Sequence, residues 1–118
     1  MALTTNIANL TIIRGDTVIH RITVKNTDET VKDITGATAR YTIRTPTYSG
    51  TQVLQKTVGS GIALTTPTGG VLDVTLTTTD TAALTVHGRY AYDCEVTIAG
   101  QVSTVQRGAL TVEGDVSV

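Results

Sequence analysis

The chain contains no tryptophan and no phenylalanine, and its only benzenoid side chains are Tyr41, Tyr48, Tyr90 and Tyr92. That leaves little of the flat aromatic surface on which sugar-binding modules stack their ligands. A single cysteine, Cys94, excludes an internal disulfide. A net charge of -1 supplies no basic footprint for nucleic acid or an anionic bilayer. No apolar run approaches the ~20 residues of a membrane-spanning helix. The first residues, Met1 to Thr5, lack the basic stretch and apolar block of a signal peptide. The expectation is a soluble protein without a classical export signal.

What is present is β-branched and periodic. Val18, His20, Ile22 and Val24 alternate with Ile19, Arg21 and Thr23, and Ala37, Ala39, Tyr41 and Ile43 alternate with Thr38, Arg40 and Thr42. From Arg89 to Ile98, Tyr90, Tyr92, Cys94, Val96 and Ile98 fall on one side, and Arg89, Asp93, Glu95 and Thr97 on the other. Period two is the signature of strands with one face in a core and one in water. Further strands are expected around Leu10–Ile13, Val53–Val58, Ile62–Leu64, Val71–Thr77 and Val102–Val112, the last with a bulge at Gly108. Turns fall at Arg14-Gly15-Asp16, Asn26 to Glu29, Gly59-Ser60-Gly61, Thr65 to Gly70 and Ala99-Gly100-Gln101. Thr78 to Leu84 alone reads as a helical turn, with Leu84 directed into the core. Seven or eight short strands with one helical turn predict an all-β protein, an antiparallel β-sandwich of the immunoglobulin-like type. The 118 residues fit one domain, with its core at about 7–113, a flexible arm at 1–6 and a tail at 113–118.

Chemistry is sparse. His20 and His87 are the only imidazoles, and their separations from Cys94 match no zinc spacing. His20 reads as a partly buried strand histidine, His87 as an exposed loop residue and Cys94 as an inert buried thiol. Asp93 and Glu95 lie two apart on one strand face, with Arg21, Arg40, Arg44 and Arg89 available to pair with them. They read as a charged sheet face rather than a glycosidase pair. Asp28, Glu29 and Asp33 lack the spacing of a calcium cage. Arg14-Gly15-Asp16 reads as a turn, and the sequon Asn9-Leu10-Thr11 matters only in a glycosylating pathway. No catalytic residue, cofactor or metal is expected.

The order of six phrases carries a resemblance: "LTIIRGDTVIHRITVKN" (10–26), "DITGATARYTIRT" (33–45), "LQKTVGSGIAL" (54–64), "GGVLDVTLTTTDTAAL" (69–84), "GRYAYDCEVT" (88–97) and "STVQRGALTV" (103–112). Together they resemble small immunoglobulin-like virion proteins of tailed bacteriophages, and are similar to the N-terminal domain of phage baseplate upper proteins. Gly88 and Tyr90 open their strand as such residues open strand F of many immunoglobulin-like sandwiches, where a tyrosine bonds back to the preceding corner. The resemblance implies a non-enzymatic structural role in the virion, in a protein made in the bacterial cytoplasm. It also implies docking to the major capsid protein or to tail or baseplate proteins, in multiple copies or as a homo-oligomer. A baseplate upper protein continues into further domains, whereas this chain ends soon after Val112. That favours a capsid decoration or a small tail or neck component. The candidate contact residues are Leu3 and Ile7 in the N-terminal stretch 1–9, Tyr48 in the loop at 45–52, and Val116 in the tail Glu113 to Val118. A carbohydrate-binding or adhesion module on a host surface is the alternative.

Overall fold

Nine strands account for most of the residues described by the computed structural model, which are 3–45, 51–84 and 88–114. In order they are β1 (Asn6–Ile7), β2 (Leu10–Ile13), β3 (Val18–Thr23), β4 (Thr38–Arg44), β5 (Gln52–Val58), β6 (Gly61–Thr66), β7 (Val71–Leu76), β8 (Arg89–Ile98) and β9 (Gln101–Glu113). A 3-10 turn at Pro67–Gly69 and one short helix, α1 (Thr78–Ala82), complete the described elements. The protein is all-β.

The strands hydrogen-bond in the order β1-β9-β8-β4-β5-β6-β7-β3, with β2 also pairing to β9. This is one continuous curled sheet, a half-barrel, where the sequence pattern predicted two separate sheets. The join is a short parallel step in which Thr57 and Val58 of β5 face Gly61 and Ile62 of β6. Alternation along each strand shows which face is apolar, but not whether a turn also continues the ladder.

Curling brings the inner faces together. Ile22, Val24, Ile34, Tyr41, Leu72 and Leu110 are almost wholly excluded from solvent and belong to one cluster. The alternation predicted from the sequence holds in β3, β4 and β8, except that two outward positions, Thr42 and Ala91, are also buried. Thr42 accepts a bond from the Gln55 amide of β5 at 3.1 Å.

Three local features differ from expectation or sharpen it. First, the extra residue in β9 is not at Gly108. The register shifts where Cys94 pairs with Gln106 and Glu95 with Thr104, so Val105 is the bulged residue. Gly108 serves another purpose, a close approach by the chain between β1 and β2. A Cβ there would sit 2.0 Å from the Ala8 carbonyl oxygen. Second, residues 3–7 are paired, although the sequence suggested a loose arm. Leu3 bridges Asn26, the Thr4 amide donates to the Lys25 carbonyl at 2.8 Å, and the Thr5 hydroxyl donates to the Thr104 carbonyl at 2.7 Å. The two residues of β1 were too few to register as a periodic strand. Third, α1 forms where expected and Leu84 is buried. Helix and first turn are tied together: the Gly15 amide donates to the Thr81 hydroxyl at 3.0 Å, which donates to the Asp16 carbonyl at 2.8 Å.

Candidate functional site

The densest polar grouping lies inside the curl. His20 of β3 points inward with Val18 and Ile22, and meets Tyr41 of β4 edge-on with ring centroids 5.7 Å apart. Tyr41 stacks on Tyr92 of β8 at 5.4 Å. The Val105 bulge turns two consecutive β9 residues inward, so Gln106 is only 6% exposed. Its amide nitrogen lies 2.7 Å from His20 Nε2 and donates to Tyr92 Oη at 3.1 Å. The Tyr92 hydroxyl in turn donates to the Ala8 carbonyl at 2.6 Å. Burial lowers the His20 pKa and pushes the Tyr41 hydroxyl up, so both groups are neutral at pH 7. The cluster stitches four strands together. The sequence placed His20, Tyr41 and Tyr92 on inner faces, but Gln106 escaped notice because a bulge breaks the alternation that would have marked it.

The other chemistry-bearing candidates are engaged in architecture. Cys94 is fully buried, and burial, reinforced by Asp93 and Glu95, pushes its thiol up to about 12. A thiol in that state does not act as a nucleophile at neutral pH. Asp28 and Asp33 each accept from both amide and hydroxyl of the threonine two residues on, Thr30 and Thr35, which holds both carboxyls below their usual range. These are two local Asx turns. In the Arg14-Gly15-Asp16 turn, Arg14 Nε donates to the Leu84 carbonyl at 3.1 Å, so the guanidinium is held against the helix end. Among the described residues no group of three or more His, Cys, Asp or Glu could hold a metal ion. His87 lies outside the described residues.

The outer face is a lattice of alternating charge. One row across the sheet runs Ile7, Arg107, Asp93, Thr42, Gln55, and the next Thr104, Glu95, Arg40, Thr57. Asp93 is half-buried, and burial, then the neighbouring Glu95, raises its carboxyl pKa, with Arg44 and Arg40 acting against them. Arg40 reaches Glu95 at 3.9 Å. The sequence expectation of cross-strand pairing fits this Arg40–Glu95 geometry.

At the margin of that lattice lies β1, which among the described residues pairs only with β9. Ile7 there is 69% exposed, the most exposed large apolar side chain described. Leu3 instead packs against the core. Of the two contact candidates among the described residues, Ile7 presents the accessible apolar side chain; Tyr48 and Val116 lie outside the described residues. What the fold assembles is therefore an edge: two short strands parallel to β9, an exposed isoleucine, and a charged face beside it. Compared with known protein families and with curated proteins, the chain matches none.

Proposed function

We propose that this chain is a non-enzymatic structural component of a tailed-phage virion, an immunoglobulin-like domain that docks on capsid or tail proteins. The ordered phrases resembling phage immunoglobulin-like proteins are the starting point. The strand arrangement is in keeping with them: β9, β8, β4 and β5 lie side by side, β6, β7 and β3 form the opposing part, and the N-terminal strand runs parallel to the last. An immunoglobulin-like sandwich is built from two such groups. The observation that carries the docking role is the β1 edge, where Ile7 stands in solvent on a strand that, among the described residues, pairs only with β9. Such an edge is a template for pairing with another chain, and proteins that do not use it usually blunt it.

The test is copy number in purified phage particles, measured by quantitative mass spectrometry against the major capsid protein. Hundreds of copies per particle indicate a capsid decoration. A small ring-like multiple indicates a neck, tail or baseplate location. Absence from the particle overturns the proposal and favours a host-surface binding module.

A further inference from the structure

Donor directions in the buried polar cluster are determined by chemistry. The Gln106 amide nitrogen can only donate, so His20 Nε2, 2.7 Å away, must accept. The imidazole proton then sits on Nδ1, which faces Tyr41 Oη at 3.3 Å. Tyr92 Oη accepts from Gln106, and its own proton goes to the Ala8 carbonyl. Ala8 is the residue at which the chain passes from β1 to β2, and its amide donates to the Arg107 carbonyl at 3.0 Å. A side chain in the middle of β3 is thus linked, through three hydrogen bonds, to the N-terminal edge.

We propose that His20, Gln106 and Tyr92 form a proton-driven polarity relay that fastens the β1 edge at neutral pH and releases it in mild acid. A solvent proton taken up by Nε2 makes both ring nitrogens donors, and two donors now oppose each other at 2.7 Å. Turning the Gln106 amide over relieves this by presenting Oε1 to the imidazolium. The same oxygen then faces Tyr92 Oη, and the hydroxyl rotates to donate to it. The Ala8 carbonyl loses the Tyr92 hydroxyl. The only covalent change is the new N–H bond.

The surroundings leave His20 to respond alone. From β4 it faces Tyr41, whose hydroxyl is pushed up by burial, and from β8 it faces Tyr92. From β9 it meets Gln106, and from β7 it pairs with Val74. Arg21, on the opposite face of β3, is paired to Asp73 at 2.9 Å. Arg21, Lys25 and Glu29 line the slot on the far side of Gln106. No described carboxylate bonds the imidazole. Because burial lowers the His20 pKa, the neutral, fastened state holds at pH 7, and its contribution is lost as pH falls through the folded value.

The test is NMR on the full chain at about pH 7.5 and about pH 5. Imidazole nitrogen shifts should report the Nδ1–H tautomer at the higher pH. On acidification, Ala8 amide protection, corrected for intrinsic exchange, should fall at least about tenfold while β4 and β8 amides stay protected. His20→Gln, which cannot charge, should keep Ala8 protected at both pH values. Tyr92→Phe should leave Ala8 unprotected at both, with the His20 titration intact. An Nε2–H tautomer at neutral pH, Ala8 protection that ignores the His20 titration, or a protected Ala8 in Tyr92→Phe would each overturn the relay.

Discussion

Gly108 is the residue with least room for change. The chain crossing from β1 to β2 lies so close that a methyl group there would meet the Ala8 carbonyl oxygen at 2.0 Å and its carbon at 2.7 Å. Backbone on one side and sheet on the other leave nothing flexible to yield. The crossing is also held from its next residue, since the Ala109 amide donates to Asn9 Oδ1 at 3.1 Å. Gly108→Ala should therefore force the crossing outward and cost about 1–3 kcal/mol, the usual cost of overpacking. Urea denaturation measures it, and an unchanged midpoint would show that the crossing moves freely.

At the scale of the element, α1 is instructive because five residues are far too few to be helical by propensity. Its geometry comes from a reciprocal cap: the Asp80 amide donates to Thr77 Oγ1 at 3.2 Å, and the Thr77 amide donates to Asp80 Oδ2 at 2.8 Å. Lys56 of β5 closes on the same carboxylate at 2.7 Å, from a side chain mostly covered by protein. Thr77→Ala should cost about 1 kcal/mol in thermal or chemical unfolding. Burial pushes the Asp80 carboxyl up, but Lys56 and the Thr77 amide and hydroxyl together hold it below its ordinary value. Its stabilising contribution is thus complete above the unfolded carboxylate pKa and disappears as pH falls through the lower folded value. The stability gap between the native protein and Asp80→Asn should be present at neutral pH and close in strong acid. A gap independent of pH would remove the charge from the explanation.

Over the whole molecule, a half-barrel differs from a closed barrel in having edges, here β1 with β2 at one end and β3 at the other. The two edges are not alike. Both carry an exposed isoleucine, Ile7 at 69% on β1 and Ile19 at 64% on β3, but on β3 the neighbouring residues include Arg21, locked to Asp73 by both carboxylate oxygens. If docking uses the β1 edge, Ile7→Lys should fold with a stability within about 0.5 kcal/mol of the parent, because the side chain is already in solvent. The variant should nevertheless fail to incorporate into particles when supplied in trans during phage growth. Normal incorporation would place the contact elsewhere, with Tyr48 and Val116 the next positions to substitute.

Much of this was legible in one dimension. Side-chain alternation gave the inner faces of β3, β4 and β8, the pairing of hydroxyl and acid gave α1, and the glycines and polar clusters gave the turns, because each depends on neighbours within a few residues. Absences of aromatic surface, basic charge and cysteine pairs shaped the functional expectation for the same reason, being properties of composition. Only the tertiary structure decided the rest. That the two halves join through β5 and β6, that Val105 rather than Gly108 is the extra residue in β9, and that residues 3–7 are paired depend on partners up to a hundred positions away. The polar cluster belongs to the same class: His20 and Gln106 stand 86 residues apart, and no local pattern brings an amide to an imidazole until the sheet has curled.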